Sequence, residues 1–137
     1  LMQQLTERGI TVIVNLAPIL PFINDDMENI QGLLSYCVKA GVYGILTDKM
    51  CPVLREGNRE RFYQQLYKNF PDIYDRYEAV YADEKTLKTK NYTEIMACIR
   101  ETCEAYGIQY DKEELLRFTR EYKNKTIGTQ LSLFDMM

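Results

Sequence analysis

A chain of 137 residues, 46% of them hydrophobic, is long enough for one domain with its own core and too apolar to be disordered. Its net charge of −3 excludes a general attraction to phosphate or anionic lipid, so contact with nucleic acid needs a local basic patch. With no histidine, it is also excluded from Ser-His-Asp and Cys-His catalysis, His-bearing zinc sites and an imidazole switch near neutral pH. No apolar run nears the roughly 20 residues that span a bilayer, and no signal peptide is visible, so a soluble, cytoplasmic chain is expected.

Leu1 to Arg8 reads as a helix already under way, without an N-cap and stopped at Gly9, as the start of a fragment would read. Thr11 to Ala17 is short, apolar and β-branched, and is expected to be a strand buried on both faces. Pro18 and Pro21 end it, since proline has no N–H for a ladder. Asn24-Asp25-Asp26 then opens a helix that runs to Gly41, with Met27, Ile30, Leu33, Leu34, Cys37 and Val38 at helical spacing on one face. A second strand, Val42 to Thr47, follows at once. Strand, helix and strand with this crossover predict a parallel βαβ unit. Ligands in α/β folds sit at the carboxyl ends of such strands, here the loops Ala17 to Asp26 and Asp48 to Gly57. Two strands make a poor sheet, so a further piece or a second copy is expected to complete it.

Helices are predicted from Arg59 to Phe70 and from Ile73 to Ala82, separated by a break at Pro71-Asp72. Tyr63, Tyr67, Phe70, Tyr74, Tyr77 and Tyr81 recur there at alternating spacings of four and three, which is one helical face. Interleaved Arg59, Arg61, Lys68 and Arg76 invite a reading in which the tyrosines stack on bases. Packing of the rings against a neighbouring element, with their hydroxyls wet, is the stronger expectation. Asp83 to Lys90 reads as a mobile charged loop. Asn91 is expected to cap a helix to Tyr106 with Ile95, Met96, Ile99, Cys103 and Tyr106 inward. A short extended link, Ile108 to Tyr110, leads to a last helix, Lys112 to Lys123, capped by Asp111. The polar lead-in Lys123 to Thr129 ends in Gln130-Leu131-Ser132-Leu133-Phe134, whose three large apolar residues should not be left in water without a reason.

No residue set makes a catalytic site by itself. Asn24, Asp25 and Asp26 could hold a metal or a ribose, though helix capping explains them more cheaply; Asp48, Lys49 and Cys51 leave the second strand where a substrate group would sit, with a solvated loop as the default reading. The four cysteines, Cys37, Cys51, Cys98 and Cys103, match neither a zinc ribbon nor an iron–sulfur spacing; Cys37 and Cys98 are expected in the core.

Leu-Ala-Pro-Ile-Leu-Pro-Phe-Ile-Asn-Asp, Ala-Gly-Val-Tyr-Gly-Ile and Leu-Arg-Glu-Gly-Asn-Arg, in that order between Gly9 and Gly57, resemble the later part of the barrel of radical S-adenosylmethionine proteins of the spore photoproduct lyase-like (DNA repair photolyase-like) family. The similarity extends through Phe62-Tyr63 and Phe70-Pro71 to the terminal Gln-Leu-Ser-Leu-Phe. It implies an α/β fold: residues 1–57 as the last βα units of a partial TIM-like barrel, 58–123 as a helical extension and 124–137 as a flexible tail. It implies a parent enzyme that cleaves S-adenosylmethionine at a 4Fe–4S cluster to a 5′-deoxyadenosyl radical and acts on nucleic acid. The family's adenine-binding segment aligns with Ala17 to Asn24. This implies cofactor contacts at Ile19, Asn24 and, on the next strand, Leu46, although the family's glycines and acid are replaced. Cys51 lies near where spore photoproduct lyase keeps a hydrogen-atom donor. The three-cysteine cluster motif is absent, so this stretch alone is expected to carry neither cofactor and to be inert. The tail resembles the pentapeptide that binds the bacterial sliding clamp, implying polar contacts by Gln130 and an apolar groove filled by Leu131, Leu133 and Phe134. A non-enzymatic interaction module is the alternative.

Overall fold

The computed structural model describes residues 1–121. Two short strands, β1 (Ile13–Asn15) and β2 (Gly44–Leu46), pair in parallel with Val14 opposite Ile45. Between them lies α2 (Met27–Ala40), and α1 (Met2–Glu7) precedes β1. After β2 come α3 (Asn58–Asn69), α4 (Pro71–Tyr81), α5 (Tyr92–Tyr106) and α6 (Lys112–Arg120). The expected parallel βαβ unit is therefore present, with strands shorter than the apolar runs that encode them.

Gln109 adds a third rung. It forms a parallel bridge to Gly44, donating its N–H to Tyr43 O and accepting from Ile45 N–H, both at 2.9 Å. The extended link Ile108 to Tyr110 is thus a rudimentary strand on the far side of β2. Among the described residues, nothing pairs with the other edge of β1.

The two faces of this sheet differ because side chains alternate along a strand. Val14 and Ile45 point into a core built with Ile30, Leu34 and Cys37 of α2 and Ile95, Ile99 and Cys103 of α5. Burying a side chain such as Ile30, Ile45 or Ile95 contributes about 1.5–3 kcal/mol each. Ile13, Asn15, Gly44 and Leu46 share the opposite face, where only Gly44 is fully covered. There Leu115 of α6 takes the space that a side chain would need. β1 is half-buried to exposed, which corrects the expectation of a strand covered on both faces; its hydrophobic run reflects the helix layer and the preceding and following loop residues.

Local chemistry sets the helix limits. Asp26 caps α2 by accepting from Asn29 N–H at 2.8 Å, and Gly41 ends it in the left-handed conformation with φ of 68°. Asp111 caps α6 in the same way, accepting from Glu114 N–H at 2.9 Å. Pro71 starts α4 rather than merely breaking the previous helix, since a first-turn proline gives up an N–H that would be orphaned anyway. Asn91 precedes α5 without a side-chain cap, its amide being used elsewhere.

A second core lies between α3 and α4, made by Leu54, Leu66, Tyr77, Tyr81 and Leu87 with Phe22, Phe62, Tyr63 and Tyr74 against them. Residues 83–90 pack on it instead of forming a free charged loop: Thr86 bridges Val53 in antiparallel fashion, Leu87 is fully buried and Thr89 nearly so. The expectation for that segment missed two inward side chains among many charges. Tyr106 was expected inward on α5, yet it is exposed, because the core face of that helix ends at Cys103. No helix among the described residues is long and apolar enough to cross a membrane.

Candidate functional site

Both loops at the carboxyl ends of β1 and β2 turn through strained backbone: Phe22 has φ of 63° and Lys49 of 59°, left-handed values that cost an ordinary residue about 1–3 kcal/mol. The Phe22 ring repays that strain. It meets Tyr77 edge-on at 5.8 Å, and the Arg76 guanidinium lies 4.0 Å over its centroid.

The polar residues of the first loop are structural in detail. Asn24 closes the loop on itself, accepting from Leu20 N–H at 2.6 Å and donating to Pro18 O at 3.3 Å. Asp25 ties the loop to the segment before α5: its carboxylate accepts from Phe22 N–H at 3.0 Å and from the Thr89 hydroxyl, while its carbonyl accepts from the Asn91 amide at 3.2 Å. Only Asp26 caps α2. Of the three residues aligned with cofactor contacts, Ile19 is buried in the helix-side core and Asn24 spends its amide within the loop. Leu46 alone offers side-chain surface on the face turned away from α2 and α5.

At the end of β2, Asp48 pairs with Lys112 at 2.9 Å. The hydrogen bond from Lys112 lowers the Asp48 carboxyl below its usual range, and Asp48 in turn raises Lys112. Both groups are substantially exposed, so the pair fixes α6 over the strand end more than it stabilises the fold. A carboxyl held low favours folding above its unfolded pKa, and that share is lost as pH falls through the folded value. Side-chain carbon chemical shifts followed by NMR are expected to show Asp48 titrating low, and moving back towards the ordinary range in Lys112→Met, with Lys49 still holding it down in part.

Cys51, half-buried after β2, has its thiol pushed up mainly by burial, with the Thr89 backbone and Lys88 opposing. It is a protonated thiol at neutral pH, not an activated nucleophile. Cys37 and Cys103 lie together in the α2–α5 core, and burial raises both, Cys103 to about 11. Cys98 is partly buried at the margin of that core. Cys51 is not part of that core, and no group of three metal-ligating side chains is assembled among the described residues. They therefore do not fit an iron–sulfur cluster.

The tyrosine stripe closes mainly on itself. Tyr63, Tyr74, Tyr77 and Tyr81 interlock between α3 and α4, with Tyr77 OH donating to Pro21 O at 2.7 Å and Tyr81 OH to Lys88 O at 2.6 Å. Tyr67 and Phe70 remain exposed. Packing thus uses most of the stripe. Two of its basic neighbours are engaged within the chain: Arg59 donates to the carbonyls of Tyr81 and Glu84 beside the Tyr63 ring, and Arg76 lies over Phe22. The roles of Glu60 and Gln64, which border the stripe where it stays open, escaped the sequence reading. Their spacing with Tyr67, four residues and then three, is the signal that places them in one row. Gln130, Leu131, Leu133 and Phe134 lie outside the described residues.

No family model matches the chain, and neither does any curated protein or solved structure.

Proposed function

We propose that this chain is the carboxyl-terminal portion of a radical S-adenosylmethionine, iron–sulfur enzyme of the spore photoproduct lyase-like type that acts on nucleic acid. The observation that supports the reading is the strand arrangement. β1, β2 and Gln109 lie side by side in chain order and in parallel, with α2 and α5 layered on one face and Leu115 of α6 against Gly44 on the other. Successive neighbouring parallel strands are how a βα barrel grows. Leu46 and Asn15 then lie at the carboxyl end of the opposite face, where such folds take their ligands. On this reading β1 and β2 are late strands of a partial barrel. The cluster must be held by cysteines elsewhere in the parent, because the described residues supply no ligand set for it.

The test is made on the parent gene product. Its reading frame is expected to carry a three-cysteine run before this segment, and the anaerobically reconstituted protein is expected to bind iron and sulfide and to form 5′-deoxyadenosine from S-adenosylmethionine. The present chain, treated identically, is expected to do neither. A parent without the cysteine run, or one that forms no 5′-deoxyadenosine, overturns the reading.

A second reading rests on Gln130-Leu131-Ser132-Leu133-Phe134, five residues that match a clamp-binding peptide at every position. It makes the chain an interaction module held by apolar anchors at its tail. Capture of the bacterial sliding clamp by the wild-type chain, and not by Leu133→Ala/Phe134→Ala, supports it; equal capture by both removes it.

A further inference from the structure

The open part of the tyrosine stripe forms a groove between α3 and α4, lined by Glu60, Tyr63, Gln64, Tyr67 and Tyr74. Its walls stand at right angles. Tyr67 and Tyr74 meet at an interplanar angle of 80° with centroids 5.2 Å apart, and Tyr63 and Tyr74 at 87° and 6.0 Å. Tyr67 keeps 65% of its surface in solvent. Successive perpendicular rings make two corners of a box, and a ring face left open to solvent attracts an organic cation through the negative end of its quadrupole, whereas a ring edge does not.

The charge of the rim agrees with that. Glu60 lines the groove and has no ion-pair partner among the described residues, and the Tyr74 phenol is raised by burial and by the negative charge of Glu78 on the next turn of α4. Two of the three basic side chains of α3 stand apart: Arg61 and Lys68 share the row next to that of Glu60, Gln64 and Tyr67, and neither lines the groove. Arg59 is held by carbonyls in the adjoining groove, where its guanidinium sits 5.2 Å from the Tyr63 centroid. One of the three rings therefore already receives a cation from within the chain. A polyanion is the wrong ligand for this surface, and a compact, weakly hydrated cation is the right one.

We infer that the α3–α4 groove is a binding site for an alkylammonium head group, with Tyr63, Tyr67 and Tyr74 as its aromatic walls and Glu60 as its counter-charge. The inference is independent of the barrel reading, since every residue it uses lies on the helical hairpin. The head group can arrive on a small molecule or on a methylated lysine, and the test separates the two. The chain is titrated by NMR with choline, with a peptide carrying trimethyllysine, and with 3,3-dimethylbutanol, the neutral isostere of choline. Saturable shifts confined to α3 and α4 are expected with at least one of the cations. The neutral isostere and Tyr67→Ala are each expected to bind roughly three- to tenfold more weakly, as loss of a partly exposed cation–π contact implies. Tyr67→Phe is expected to keep the site and Glu60→Gln to weaken it. Because Tyr67 is largely exposed, its alanine variant keeps the fold, which the spectrum itself reports. Failure of both cations to shift the hairpin, equal binding of the neutral isostere, or binding indifferent to Tyr67→Ala would each overturn the inference.

Discussion

Tyr77→Phe is expected to lower the stability of this protein by about 1–3 kcal/mol, and Tyr77→Ala by about 3–5 kcal/mol. Tyr77 is completely buried, touches the rings of Phe22, Phe62, Tyr63 and Tyr81, and donates its hydroxyl to Pro21 O at 2.7 Å. Burial pushes the phenol well above its ordinary range, so it is a proton donor at neutral pH. Phenylalanine keeps the ring and removes the donor, leaving the Pro21 carbonyl inside the protein with no partner. Alanine removes the ring as well and opens a cavity that four neighbouring aromatics cannot all collapse into. Urea unfolding separates the cases: both midpoints fall, with little change in slope, and the interval between the two variants measures the ring. A phenylalanine variant as stable as the wild type would show that the hydroxyl contact contributes nothing.

Gly44→Ala is the second large effect. A Cβ built there lies 2.3 Å from Leu115 Cδ2 and 3.0 Å from Gln109 O. The leucine end can turn aside, but it is buried, and the carbonyl belongs to the bond that holds the third rung of the sheet. Overpacking of this kind costs about 1–3 kcal/mol. Leu115→Ala removes the obstacle and leaves a hollow, at a cost of about 2–5 kcal/mol. Combined, the two changes partly cancel, since the added methyl fills what the leucine vacated. The double variant is therefore expected to be more stable than the sum of the singles by at least about 0.5 kcal/mol, read from a double-mutant cycle in urea. Strict additivity would mean that Gly44 and Leu115 do not share this space.

That contact also shows what could be read from sequence and what could not. The βαβ unit was legible because its signals are local: a β-branched run stopped by prolines, Asp26 as cap, Gly41 as stop, and an apolar face at helical spacing between them. The packing role of the tyrosines followed in the same way from their spacing. Gly44 was legible only as part of a strand, since its partner Leu115 is far away in sequence and nothing local marks a notch. Asp25 and Thr89 are 64 residues apart, so their bond was equally hidden, and the capping explanation was too broad by two residues of three. Ile108 to Tyr110 was legible as an extended link but not as a rung of the sheet, because a single rung needs no alternation. The groove was missed for a different reason: packing of the rings was weighed against base stacking beside Arg59, Arg61, Lys68 and Arg76, and Glu60, which lines the groove together with the exposed Tyr67, entered neither reading.

The division into two cores bears on how the molecule opens. Ile30, Ile45 and Ile99 belong to one cluster, Leu66, Tyr77 and Leu87 to the other, and the two are joined by the loop that carries Ile19 on one side and Phe22 on the other. Such clusters commonly behave as separate cooperative units in native-state hydrogen exchange. The α3–α4 hairpin can then loosen while the sheet and α2 stay protected, with the Tyr77–Pro21 hydrogen bond as the latch between them. A ligand bound in the tyrosine groove would slow exchange of the hairpin amides and leave those of α2 unaltered, so occupancy of the groove has a signature in protection as well as in affinity.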